Sequence, residues 1–213
     1  MTDITQADAP LAFTEDERAA VYRAIALRRD VRHFERRDVD PAALRRILDA
    51  AHHAPSVGLS QPWRFVLIDE RDRRERIRAS FLRCRDAEAV RFPAARRAQY
   101  TSYKLEGIHD AAVNVCVVVD LRDDGEAILG TTVQPESIRA SAICAVQNLW
   151  LAARVEGLGV GWVSIVEPSV LRRELALPRG RWDTARLDDL SARASEWLDA
   201  TLGDARPFPA GGL

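Results

Sequence analysis

Apolar positions recur at helical spacing in some stretches and run together in others, and the changes between the two mark the elements. Thr14 followed by Glu17 forms a capping-box pattern, with Glu15 and Asp16 in the first turn, where a helix dipole favours acids. The helix it predicts runs to about Leu27 and buries Val21, Ala24 and Ile25. Asp40 and Pro41 open a second helix as N-cap and first-turn proline; Leu44, Ile47, Leu48 and Ala51 share one face, and Pro55 ends it. Arg64 to Asp69 reads as a strand, Arg71 to Arg85 as a charged surface helix, and Arg91 to Lys104 as a helix or ordered loop. Asn114 to Val119 is apolar throughout, as a strand covered on both faces would be. Residues 122–135 are a loop rich in Asp, Gly and Thr. Ile138 to Val155 is apolar almost all round, which predicts a helix that is central or lies at a subunit interface. Glu156 to Gly159 stops it, Val160 to Val166 reads as a third strand, and Leu171 to Leu177 as a short helix before Pro178. Leu190, Ala194, Trp197 and Leu198 make a last amphipathic stripe within Leu187 to Leu202. The pattern is a mixed α+β domain over residues 14–178, with a loose tail at 1–13 and a C-terminal segment at 179–213.

Composition narrows the class. Hydrophobic residues make up 47% of the 213 and charged residues 30%, enough apolar material for a packed core. Lys+Arg number 31 against Asp+Glu 32, a net charge of -1, which removes the simplest electrostatic case for a nucleic-acid or membrane-surface partner. Met1 to Pro10 has neither a basic n-region nor an apolar h-region, and no run is long enough to span a membrane, so a cytoplasmic location is expected. Cys84, Cys116 and Cys144 are widely spaced and read as buried thiols of a reduced compartment. The four histidines show no metal-ligand spacing, and no metal is expected.

Three segments carry candidate chemistry. Arg28-Arg29-Asp30-Val31-Arg32 places three guanidiniums within five residues; they suit a phosphate clamp, or a solvated turn after a helix, and alone the cluster favours the second. Ala54 to Trp63 is a loop whose small residues let backbone approach a flat ligand, with Ser56 and Gln61 as hydrogen-bonding groups; a turn-rich connector anchored by Trp63 fits equally well. Gly157, Gly159 and Gly161 precede Ser164, but they follow a helix and enter a strand, the reverse of a dinucleotide-binding turn. Lys104-Leu105-Glu106-Gly107-Ile108 has by itself the character of a surface turn.

These segments, in this order and together with Ala145 to Arg154 running into Gly159 to Ile165, resemble the nitroreductase-like flavoprotein superfamily. They are closest to its aerobic 5,6-dimethylbenzimidazole synthase (BluB) branch, because ordinary nitroreductases usually carry serine where Asp30 stands. The resemblance covers about Phe13 to Pro178. It implies a homodimer with a small antiparallel sheet, a long interface helix and FMN bound between subunits. The implied reaction consumes reduced FMN and O2 and gives 5,6-dimethylbenzimidazole, the lower ligand of vitamin B12, and erythrose 4-phosphate. A separate NAD(P)H-dependent flavin reductase would supply the reduced flavin.

The resemblance also assigns residues. Arg28, Arg29 and Arg32 would hold the FMN phosphate or the pyrimidine edge of the ring, with Val31 between them. Asp30 would lie at the ribityl–ring junction as a base for carbon–hydrogen cleavage, and Ser164, beside Gly161, would bond the flavin near the same place. Pro55, Ser56, Val57, Gly58, Gln61 and Leu105 would line the ring and restrict water. The alternatives are an NAD(P)H-dependent nitro or flavin reductase with recycled FMN, and an inactive flavin-binding protein. The family continues after Pro178 into another apolar core strand; here Arg179-Gly180-Arg181-Trp182-Asp183 follows, and only the Leu187–Leu202 helix is predicted.

Overall fold

The computed structural model describes residues 12–102, 107–121 and 128–177. Helix α1 (Glu15–Leu27) starts at the Thr14 capping box, with the Glu17 carboxylate accepting the Thr14 N–H at 2.8 Å. The Thr14 hydroxyl and that bond hold the Glu17 carboxyl below its ordinary pKa. Helix α2 (Pro41–His52) starts where Asp40 accepts the Ala42 N–H at 3.0 Å. Strand β1 (Trp63–Leu67), helix α3 (Arg71–Ala89), helix α4 (Ala94–Ser102) and strand β2 (Val115–Val119) follow. The long helix α5 (Ser137–Val155) and the short α6 (Pro168–Glu174) complete the order. The charged surface helix thus runs four residues past Arg85, the ambiguous 91–104 stretch contains a helix, and the last helix begins earlier than Leu171 because Pro168 opens it.

β1 and β2 pair antiparallel in a two-stranded sheet, with Phe65 opposite Val117. Val160 to Val166 is not the third strand its sequence suggests. It makes one parallel bridge, Val160 with Asp30, and Val163, Ile165 and Val166 turn their side chains onto a core. The residues have strand character, but a ladder needs a neighbour along its length, and the Trp162 peptide is bonded to side chains instead. The predicted 187–202 helix and the N-terminal tail lie outside the described residues.

Two cores hold these elements. One is Ile68, Ile77, Phe81, Ile108 and Leu175, with Cys116 against it; burial pushes the Cys116 thiol pKa up to about 11. The other joins Ala54 and Trp63 to Ala142 and Ala145 on α5. Ion pairs tie the helix ends: Arg46 grips Glu156 through two 2.7 Å bonds, and Arg76 meets Glu174 at 2.6 Å. α1 departs from expectation. None of its residues is buried, and Val21 and Ile25 stand about half exposed. On α5, Ile138, Ala142, Ala145, Trp150 and Ala153 face inward while Ile143 and Val155 face out. Cys144 is exposed too, so the three thiols are not uniformly buried.

Candidate functional site

The segment after α1 is laid against residues 159–164 by a ring of bonds. The Val31 N–H donates to the Val160 carbonyl at 2.9 Å. The Trp162 N–H donates to Asp30 Oδ1 at 3.1 Å, and Arg32 Nη1 donates to the Trp162 carbonyl at 2.9 Å. Arg32 Nη2 closes the ring by pairing with Asp30 Oδ2. Such close approach requires glycine opposite: a Cβ on Gly161 would stand 2.3 Å from the Val31 carbonyl oxygen, and one on Gly159 2.7 Å from Val31 Cγ2. Phe34 extends the contact to a third segment, because a Cβ on Gly107 would stand 2.1 Å from its ring. That is the structural reason for glycine within the 104–108 stretch.

The arginines are partly committed to the protein. The Arg28 guanidinium lies 4.9 Å over the Trp150 ring, whose Nε1 donates to the Arg29 carbonyl at 3.2 Å. Arg29 Nη1 caps α1, donating to the Ala26 and Arg28 carbonyls. The Asp30 side chain is 39% exposed, and both carboxylate oxygens are occupied, one by the Trp162 N–H and one by Arg32. Ser164 is exposed, two residues beyond the clamped peptide.

The second group surrounds the turn after α2. Ser56 Oγ accepts the Gln61 N–H at 3.1 Å, and the Val57 N–H donates to Ser141 Oγ on α5 at 3.0 Å. Gly58, Leu59 and Gln61 all have left-handed backbone, with φ of 54°, 51° and 41°. Two of these carry side chains, so the turn is strained. A Cβ on Gly58 would meet Ile128 Cγ2 at 2.8 Å, so the turn fits only with glycine there. A largely polar cavity of about 520 Å³ opens between His52, Gly58 to Gln61 and Arg64 on one side and Ile128 and Leu129 on the other. Trp63 at its edge is 3% exposed, and its indole N–H has no acceptor among the described residues.

The structure thus sorts the predicted residues into two groups. Arg28, Arg29, Asp30, Val31, Arg32, Gly161 and Ser164 assemble near the C-terminal half of α5, where Trp150 sits. Pro55, Ser56, Val57, Gly58 and Gln61 are held near its N-terminal half by Ser141 and Ala142. At 1.5 Å per residue, Ser141 and Trp150 are about 14 Å apart along the helix. Leu105 lies outside the described residues. Phe34 belongs to no pattern that marks it in the sequence; Trp150 and Trp162 lie within the Ala145–Arg154 and Gly159–Ile165 segments that carry the resemblance, which gives neither of them a role.

A sequence model described as the nitroreductase family matches residues 25–185. A 5,6-dimethylbenzimidazole synthase of Rhodospirillum rubrum is 44% identical over 151 residues, which is 71% of this chain and 72% of that protein. Among solved structures, a BluB-like flavoprotein from Clostridium difficile superimposes with a TM-score of 0.57 at 22% identity, covering 76% of this chain and 84% of the other. A protein of Desulfovibrio desulfuricans described as a nitroreductase, solved in complex with FMN, gives a TM-score of 0.55 at 26% identity, covering 76% and 78%.

Proposed function

The chain belongs to the nitroreductase family, and from that premise we propose that it is a 5,6-dimethylbenzimidazole synthase that converts reduced FMN and O2 to the benzimidazole and erythrose 4-phosphate. The observation that carries the substrate is the 44% identity to a synthase across 71% of the chain. The donor set suits FMN. The guanidiniums of the arm after α1 suit a phosphate, and the polar cavity beside the Gly58 turn is of small-molecule size.

FMN supplies the electrons that activate O2 and the ring carbons of the product. The chain's own residues bind, orient and exclude water. Arg28 and Arg29, at the end of α1, hold the phosphate. Asp30 would stand as the base for carbon–hydrogen cleavage at the first ribityl carbon, and Ser164 would orient the ligand beside it. Pro55, Ser56, Val57, Gly58, Gln61 and Leu105 cover the ring and keep water from it.

Because the two groups hang at different levels of α5, a homodimer completes each site, the loop of one copy facing the arginine arm of the other. The outward apolar side chains of α1 and α5, Val21, Tyr22, Ile25 and Ile143, supply the interface. A separate NAD(P)H-dependent flavin reductase provides reduced flavin, in the cytoplasm.

The test is aerobic incubation of the full chain with FMN, NADPH and a flavin reductase, followed by chromatography against authentic 5,6-dimethylbenzimidazole. Product that requires both O2 and this chain supports the reading. Bound FMN that ends intact, with no product, overturns it in favour of a reductase with recycled flavin.

A further inference from the structure

We propose that Trp150 is a positioning residue whose indole face presents Arg28 to the flavin phosphate. The two residues come from different elements. Arg28 is the C-cap of α1, while Trp150 lies on α5 and is 9% exposed. The Arg28 guanidinium stands 4.9 Å over the Trp150 ring, and among the described residues it makes no hydrogen bond and no ion pair. Arg29 and Arg32, on the same arm, each bond carbonyl oxygens of the chain. Stacking covers a face of the guanidinium and leaves the N–H groups at its edge, where a phosphate takes them. An arginine free in solvent samples many rotamers, and ordering it opposes binding; one already laid on a ring has been ordered in part before the ligand arrives. The platform is itself fixed. Trp150 Nε1 donates to the Arg29 carbonyl at 3.2 Å, so one side chain holds both the stacked guanidinium and the backbone next to it. Asn148 Nδ2 donates to the Ala50 carbonyl at 3.1 Å, and Arg46 grips Glu156 at 2.7 Å, which ties this end of α5 to α2.

This role deepens the synthase reading and rests on it for the assignment of the phosphate to Arg28. The experiment titrates FMN and riboflavin by flavin fluorescence against the full-length protein as wild type, Trp150→Leu, Trp150→Phe, Arg28→Gln and the Arg28→Gln, Trp150→Leu double variant. Riboflavin lacks the phosphate, so an effect that passes through Arg28 falls on FMN alone. Trp150→Leu is expected to weaken FMN about fivefold or more and to leave riboflavin within about twofold of wild type. Trp150→Phe keeps an aromatic face without the N–H and binds FMN within about twofold of wild type. In the Arg28→Gln background, Trp150→Leu weakens FMN by less than about twofold. A fluorinated tryptophan at position 150 keeps the shape and the N–H but weakens the negative ring face. It lowers FMN affinity and spares riboflavin, which decides the matter if Trp150→Leu does not fold. Equal losses for both flavins make Trp150 a packing residue, and an undiminished loss in the Arg28→Gln background shows that it acts elsewhere. A loss in Trp150→Phe as large as in Trp150→Leu assigns the effect to the N–H. Each of these overturns the proposal, as does unchanged FMN affinity in Trp150→Leu or in the fluorinated protein. The affinities are read without turnover, so a wild type that binds FMN and forms no benzimidazole defeats the synthase reading while they still decide the part played by Trp150. A wild type that binds FMN no better than riboflavin overturns the proposal, and product formation still tests the synthase reading.

Discussion

Gly161→Ala tests whether the contact between the Arg28–Phe34 arm and residues 159–164 is as close as it stands. The new Cβ would lie 2.3 Å from the Val31 carbonyl oxygen, against 3.4–4 Å for ordinary contact. The obstacle is backbone, which has no rotamer to escape into, so the two segments must separate by roughly 1 Å. That stretches the Val31-to-Val160 bond beyond hydrogen-bonding range from its present 2.9 Å and strains the two bonds to the Trp162 peptide. At about 1 kcal/mol for a lost bond and about 1–3 kcal/mol for overpacking, the expected cost is about 3 kcal/mol. In a chain of this length that lowers the Tm by roughly 6–12 °C. Gly157→Ala is the internal control. Nothing lies within 4 Å of its Cβ, so only its φ of +77° is penalised, at about 1 kcal/mol. Thermal and chemical denaturation of both flavin-free variants, at one protein concentration, measures the difference. If Gly161→Ala matches Gly157→Ala or falls within about 1 kcal/mol of wild type, the close packing of the arm is refuted.

Three further outcomes are expected. Asp30→Asn retains FMN binding but loses product formation by at least a hundredfold, the usual worth of a placed base, and wild-type yield would remove Asp30 from the chemistry. The Arg76 guanidinium holds the Glu174 carboxyl below its ordinary pKa; such an acid stabilises the fold above its unfolded value and loses that contribution as pH falls through the folded one. The stability gap between wild type and Arg76→Gln should therefore be present at pH 7 and close below about pH 4, whereas a gap independent of pH would remove the ion pair as its cause. Ile143, 55% exposed on α5, should carry the proposed dimer, so Ile143→Glu shifts sedimentation from dimer to monomer; a wild type that sediments as a monomer refutes the interface.

Much of the secondary structure was legible because its causes are local. The Thr14 capping box, the Asp40-Pro41 start, the apolar Val115–Val119 run and the stop at Gly157 each act over a few residues, and each stands where the sequence places it. The site segments were legible as motifs, and the chemistry assigned to them came from resemblance, since three arginines within five residues favour a solvated turn when read alone. Tertiary structure decided the rest. Val160–Val166 has strand composition, yet a strand exists only with a neighbour, and here one bridge forms at Val160 while the Asp30–Arg32 pair bonds the N–H and C=O of Trp162. The apolar stripe of α1 signals burial, but the packing of the described residues buries none of it, and Val21 and Ile25 stay about half exposed. Phe34 meets Gly107, and Arg28 meets Trp150, across long stretches of chain. Periodicity says which face of an element is apolar; only the packing of distant segments says what that face touches.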